Sequence, residues 1–381
     1  MESDCSGRSR FRLPPYGHGD SARFLTGCAG PAFLQGRCAN AFFPTKVTVT
    51  MTTGPIGFGI LGCGRITRRG LIPGIKGCPG AKLVALASLR RGVAAELAAE
   101  IAPGDKSLRA YDGYDEVIDD PNVQAVYIPT TGEEHHPWTL KAARAGKHVL
   151  CEKSLALSVR EAEEMERVCR EHHVLLQEAF MWRHHPRSKQ ARKLLRQGDI
   201  GELRLICAHF SFDINRSDWR LEPARGGGAV WDIGCYGVNA SRYFAGQEPC
   251  AVYSRARFWE SGADMTMQIA LEFPSGVLAN VDCSFEAPFR CEVELVGTKG
   301  TITLPDCFLP PARAELKVRK GTEPTDLAQT IQFAEANQYV EQVRDFVASI
   351  AAGQLLDPAE SGVANMRVLE TALQQAKTAK W

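Results

Sequence analysis

The segment HVLCEKSL, residues 148–155, runs from the apolar residues Val149, Leu150 and Cys151 straight into Glu152 and Lys153. A lysine in such a place either covers a solvated face, as most do, or stands where a buried strand delivers its end to a ligand. A second stretch with chemical content, ILGCGRI at residues 60–66, ends an apolar run in Gly62-Cys63-Gly64 and then turns helical in character. In a strand, tight turn and helix of this kind the first glycine permits the turn and the second lets backbone approach a pyrophosphate. The helix N-terminus then offers unpaired N–H groups to the negative charge. Thr67 occupies the third position of G-x-G-x-x-G, so the fingerprint is incomplete. A third cluster, Ser88 with Arg90 and Arg91, ends the next apolar run. A carboxylate at that place accepts hydrogen bonds from an unphosphorylated ribose and repels a 2′-phosphate. Serine followed by two arginines reverses that charge logic, so the expected cofactor is NADP, with NAD as the alternative.

These groups converge only if the chain supplies a parallel sheet. Strand and helix patterns alternate as such a sheet demands: KLVALAS (82–88), RGVAAELAAEI (91–101), YDEVIDD (114–120), QAVYIPT (124–130), PWTLKAARAG (137–146), KHVLCEK (147–153), SVREAEEMERVCREH (158–172) and VLLQEAF (174–180). Ligands of doubly wound sheets bind outside the carboxyl ends of the strands. The loops after Leu61, Ala87, Ile128 and Cys151 should therefore face one crevice, which places Lys153 in it. Further on, GELRLICAHFSFD, CAVYSRARFWE, DMTMQIALEFPSG, LANVDCSFEAP, CEVELVGTKG and TITLP alternate in strand fashion with hairpin-length turns. Helices are expected over about 336–352 and 358–378.

Bulk composition narrows the partners. A chain of 381 residues suits two domains, and its 44% hydrophobic content is that of a globular protein. Lys plus Arg total 45 against 44 for Asp plus Glu, so no basic field exists to hold nucleic acid or an anionic membrane surface. Thirteen cysteines occur singly, without a C-x-x-C pair, and read as reduced thiols of a cytoplasmic protein. No run reaches the length of a membrane helix, and no spaced set of metal ligands is visible, His184 and His185 being adjacent. Residues 1–52 are rich in Gly, Pro and Arg without useful periodicity. They are expected to be disordered or untranslated, with Met51 as the natural start.

Taken in order, ILGCGRI, AVYIPTTGEEH, AGKHVLCEKSLALS, EAFMWRHHP, IGELRLICAHFSF and GGGAVWDIGCYGVNASRYFAG resemble successive signatures of the glucose-fructose oxidoreductase and inositol dehydrogenase family, GFO/IDH/MocA. The likeness is strongest to its branch of NADP-dependent aldose (xylose) dehydrogenases and dihydrodiol dehydrogenases. It implies an α/β Rossmann-type, doubly wound NAD(P)-binding domain over residues 53–180. An α+β domain with a large, mainly antiparallel sheet should follow over residues 181–381 and serve substrate binding and assembly into a homodimer or homotetramer.

The resemblance further implies hydride transfer between nicotinamide and a sugar hydroxyl, most simply an aldose 1-dehydrogenase. Alternatives are a trans-dihydrodiol dehydrogenase, a sugar ketone reductase, or a non-catalytic NAD(P)-binding regulator. The family's Glu-Lys-Pro motif falls on Glu152-Lys153-Ser154, where serine removes proline's cheap access to a cis bond. Lys153 would hydrogen-bond the reacting oxygen and stabilise its alkoxide character. The D-x-G-x-[HY] motif falls on Asp232-Ile233-Gly234-Cys235-Tyr236, with Asp232 and Tyr236 on one helix face. Tyr236 would be the general acid/base, its phenol acidified by Lys153, and Asp232 a hydrogen-bond partner of substrate. Arg183 would contact substrate or nicotinamide. Cofactor contacts are expected from Gly62, Gly64, Arg65, Ile66, Ser88, Arg90, Arg91, Thr130, His135, Glu152 and Lys153, although Thr131 and Gly132 replace the proline and asparagine that precede the family's histidine.

Replacing Ser88 by aspartate should shift preference from NADP toward NAD, because one charge-assisted phosphate contact is worth about 1.5–3 kcal/mol. Cofactor titrations of both proteins check this, and wild-type protein that binds NAD the tighter would contradict it.

Overall fold

The computed structural model describes residues 32–33, 54–357 and 361–378. The expectation for residues 1–52 therefore lies almost wholly outside the described residues. Within it, Ala32–Phe33 (β1) corrects the absence of a strand: its two residues pair antiparallel with Val252 and Ala251. A pair of residues is too short to leave a periodicity in the sequence.

Six parallel strands form the first sheet: Ile56–Leu61 (β2), Ala81–Ala87 (β3), Arg109–Tyr111 (β4), Ala125–Ile128 (β5), His148–Cys151 (β6) and Leu176–Glu178 (β7), in the order β4-β3-β2-β5-β6-β7. Every residue of β2, β5 and β6 is buried, as a sheet covered by helices on both faces requires. Strand β4, three half-buried residues, has no apolar run to announce it. The chain leaves β2 toward β3 and β4 and then returns to β5 on its other side. This reversal opens a crevice beyond the carboxyl ends of β2 and β5.

The second sheet contains Leu203–Ser211 (β8), Ala251–Phe258 (β9), Asp264–Glu272 (β10), Leu278–Ser284 (β11), Arg290–Gly297 (β12), Gly300–Pro305 (β13), Glu315–Lys320 (β14) and Ala328–Gln332 (β15). Its order is β1-β9-β10-β11-β8-β12-β13-β14-β15, antiparallel throughout except that β11 runs parallel to β8. Helices Cys235–Ala245 and Gly362–Thr378 pack on this sheet. A Cβ added at Gly237 would lie 2.5 Å from Val281 Cγ1, and one at Gly234 2.9 Å from Cys283 Sγ. Glycine at these two places therefore lets the start of the helix lie directly on β11. Among the described residues no helix is long and apolar enough to cross a membrane.

Near its end the chain returns to the first sheet. Helix Gln338–Ala352 lays Val343, Phe346 and Ile350 into the core around β2, with the Phe346 ring 6.3 Å from that of Phe58. Both rings are fully buried. Phe346→Ala should therefore leave a cavity costing about 3–5 kcal/mol. A clear fall in the denaturant midpoint of the first unit is expected, and an unchanged midpoint would show that this helix is dispensable to it.

Candidate active site

Lys153 is placed by the loop that leaves β6. Glu152 N–H extends the sheet to Ile128 O at 3.0 Å, and Leu155 N–H donates to the Glu178 carboxylate at the end of β7 at 2.9 Å. The Lys153–Ser154 peptide is cis although serine stands where the family has proline. Ser154 Oγ donates to Trp231 O at 2.9 Å, which ties the loop to the second unit. One residue further along that unit, Asp232 meets the lysine. Lys153 Nζ lies 2.6 Å from Asp232 Oδ1 and 2.7 Å from Asp232 O.

Asp232 is also held from the other side by Arg220, whose Nε donates to Oδ2 at 2.7 Å. Burial alone would raise its pKa, but Lys153 and Arg220 together hold it at about 2. Burial works against the Lys153 charge, but the groups around it, Asp232 foremost, together outweigh burial, so the ammonium titrates above its ordinary value. Each carboxylate oxygen of Asp232 has a cationic partner, so Asp232 orients both Lys153 and Arg220.

Tyr236 follows one helical turn later, on the same face. The Lys153 ammonium stands 5.3 Å from the centre of its ring, and its hydroxyl donates to Met181 Sδ at 3.6 Å. The rings of Phe180, Phe210 and Phe308 surround it at 5.1–5.6 Å. Burial, with the Glu152 carboxyl next, raises the phenol well above its ordinary pKa. The expected acidification by Lys153 is thus reversed. The lysine charge faces the ring and is matched by Asp232, while the hydroxyl sits among apolar groups.

The remaining expected residues separate into two places. Thr130, His135, Lys153 and Asp232 line one small cavity, together with Trp219 and Gly226 of the loop before Asp232. Both ring nitrogens of His135 lie near carbonyl oxygens, Nδ1 at 2.9 Å from Ser154 O and Nε2 at 3.1 Å from Thr130 O. Its observed work is therefore to bridge the ends of β5 and β6, and burial lowers its pKa. Glu152 is half-buried against the Tyr127 hydroxyl, which donates to Oε1, and desolvation raises its pKa. Arg183 does not face this cavity. Its guanidinium reaches Asn239 at 3.4 Å and Asp357 at 3.0 Å and stacks on Tyr243 at 4.8 Å, lining a different cavity.

The residues at the crevice of the first sheet suit a dinucleotide. Gly62 has φ +137°, a conformation that L side chains rarely adopt, and a Cβ at Gly64 would meet nothing within 4 Å, leaving open space beside the turn. Thr67 Oγ1 closes the turn by donating to Gly62 O at 2.7 Å, and the helical segment that includes Arg65 and Ile66 starts there. Thr130 Oγ1 is buried in the cavity without a partner among the described residues, a polar atom awaiting one. Ser88 Oγ accepts from Arg90 N–H at 3.2 Å, while Arg90 and Arg91 are exposed at the end of β3, where a ribose phosphate could meet them.

Arg220 was not singled out by the sequence reading. Its signal lay in DWRLEPAR, where two arginines flank a turn shortly before the GGG run. The structure stacks both on Trp219, at 4.8 and 5.6 Å, and so builds a roof over the cavity.

A model described as an oxidoreductase family with an NAD-binding Rossmann fold matches residues 56–180, and one for the GFO/IDH/MocA C-terminal domain matches residues 188–303. The chain is 31% identical over 325 residues to a dTDP-3,4-didehydro-2,6-dideoxy-alpha-D-glucose 3-reductase of Saccharopolyspora spinosa, covering 84% of this chain and 95% of that one. It is 30% identical over 325 residues to D-xylose 1-dehydrogenase (NADP(+)) 2 of Haloferax volcanii, covering 84% and 97%. The crystal structure of an aldose-aldose oxidoreductase from Caulobacter crescentus complexed with glycerol superposes with a TM-score of 0.78 at 27% identity, covering 86% of this chain and 98% of that one. With both sheets matched in chain order around one cleft, the chain belongs to the GFO/IDH/MocA family of oxidoreductases and carries its NAD(P)-binding Rossmann domain.

Proposed function

We propose that this protein is an NADP-dependent dehydrogenase that oxidises the anomeric hydroxyl of an aldose to a lactone. The observation that carries the reading is the Lys153 ammonium, held charged by Asp232 at the mouth of the dinucleotide crevice and facing the cavity under Trp219. The similarity to a D-xylose 1-dehydrogenase along nearly its whole length supports the substrate class. A nicotinamide bound at the crevice would supply hydride acceptance. Lys153 has a third N–H beyond the two spent on Asp232, and that donor would orient the substrate hydroxyl and stabilise charge developing on its oxygen. Tyr236 would take or return the proton as a phenol of high pKa, so it favours donation at neutral pH and accepts only in alkaline solution.

The same groups run in the opposite direction would reduce a sugar ketone, a second reading that the dTDP-sugar 3-reductase relative supports. The outer face of the second sheet leaves Leu205, Cys207 and His209 only partly covered. That supports assembly into a homo-oligomer through the sheet, whose size would be read by light scattering.

A panel of aldoses, dihydrodiols and nucleotide-linked ketosugars, followed by absorbance of the reduced cofactor, tests the reading. Lactone formation from a pentose or hexose is expected, and turnover confined to ketosugars or diols would replace it. With the best substrate, Lys153→Met and Tyr236→Phe should each lower kcat by about 10²–10⁴ while NADP affinity stays within a few-fold, because each removes transition-state stabilisation and leaves the expected contacts at Gly62, Gly64, Ser88, Arg90 and Arg91 in place. As members of one unit their losses should not add. Oxidation by the unaltered protein should rise with pH toward and beyond about 10, the ordinary phenol range, because burial raises the Tyr236 pKa. Tyr236→Phe should flatten that limb, and a limb unchanged by it would transfer the proton to another group.

A further inference from the structure

A larger cavity, of about 650 Å³, lies between helix Pro186–Gln197 and the segment formed by helix Gln338–Ala352 and the residues that follow it. It shares no lining residue with the cavity at Lys153. Among the described residues, Arg183, Lys189, Arg192, Lys193 and Arg196 line it together with the carboxylates of Asp345 and Asp357, so cations predominate in its described wall. A chain whose total charge is balanced has concentrated positive charge here.

The floor already shows what the cavity recognises. Asp357 Oδ2 lies 3.0 Å from Arg183 Nη2 and 2.6 Å from Arg192 Nη1, so two guanidinium groups converge on one anionic oxygen. Both guanidinium groups are preorganised by Tyr243, over whose ring they stand at 4.8 and 4.3 Å. Burial of Arg183 to 3% exposure leaves it little freedom to lose on binding. Asp345 is engaged in turn by His184 Nδ1 at 2.8 Å and Lys189 Nζ at 2.7 Å. Lys193 and Arg196, one turn of the same helix apart, have no ion-pair partner among the described residues and stand exposed at the rim. The inner cations are thus partly compensated by protein carboxylates and the outer ones are left to solvent.

We propose that this cavity binds a small phosphorylated anion, with Lys193 and Arg196 holding the phosphate from the rim and the Arg192 guanidinium meeting it from the floor. A tetrahedral phosphate presents oxygens toward several walls at once, which suits cations arriving from the floor and from successive turns of one helix. The exposed cations at the rim suit a multiply charged anion such as pyrophosphate. The site joins the helix that packs on the first sheet to the helix that leads into the second, so occupancy would stabilise the two units together.

Calorimetric titration with inorganic pyrophosphate, on protein saturated with NADP so that the turn at Gly62 is occupied, tests this. Sodium chloride of matched ionic strength serves as the control for screening. Saturable binding is expected, with at least a tenfold loss of affinity in the double variant Lys193→Gln/Arg196→Gln. Both changed side chains are exposed and lie outside the cleft at Lys153, so the variant should keep the melting temperature of unliganded wild-type protein. Citrate should bind more weakly than pyrophosphate. Absence of saturable pyrophosphate binding, equal affinity in the double variant, or citrate binding at least as tightly would overturn the proposal.

Discussion

Two charges that water would keep apart, the ammonium of Lys153 and the carboxylate of Asp232, are held 2.6 Å apart with each side chain only 13% exposed. Removing such charges from water is costly, and their attraction offsets the cost only where geometry is good and the remaining valences are filled. Here they are: the second carboxylate oxygen accepts from Arg220, and the ammonium also donates to the Asp232 carbonyl. This contact ties the end of β6 in the first sheet to the start of the helix on the second. The neighbouring bonds, Ser154 to Trp231 and His135 to Ser154, close the same seam. Without the pair, each unit would present a buried, uncompensated charge to the other.

The same pairing decides the electrostatics of the cleft. Because Lys153 is matched by Asp232 and approaches Tyr236 from the face of its ring, little of its field is left to favour a phenolate. Glu152 adds a half-buried carboxyl on the other side, and Glu178, beneath the loop, is pushed up to about 8 by burial. The cleft therefore pairs the Lys153 and Arg220 cations with Asp232 and surrounds them with groups whose neutral forms burial favours. That division suits transfer of a hydride with a proton, since the ammonium can stabilise charge on oxygen while a neutral acid supplies or recovers the proton.

Other features follow from the chain crossing twice between its two sheets. It leaves the first sheet after β7, builds the second, and returns with helix Gln338–Ala352 to the core around β2. Cleft and basic cavity consequently both lie where the two units meet, yet on different residues. Such boundaries collect polar side chains because neither core can cover them completely.

What the sequence determined by itself was whatever depends on local pattern. Apolar runs of β2, β5 and β6, the Gly62-Cys63-Gly64 turn and the alternation of β8 to β13 carry their periods in a few residues each, so both sheets and the place of Lys153 could be read from them. Ordered motifs then pointed to Asp232 and Tyr236. Short pieces escaped, as β4 and β1 did, because two or three residues define no period, and so did β14 and β15, whose ELKVRK and AQTIQ carry only two apolar residues each. Tertiary structure alone decided which charge met which. Arg183 turned to Asp357, Arg220 closed on Asp232, and the Tyr236 hydroxyl faced Met181 instead of an acidifying lysine. These outcomes join residues far apart in the chain, or depend on burial, and a side chain's field and desolvation are properties of its three-dimensional neighbours that no spacing along a sequence records.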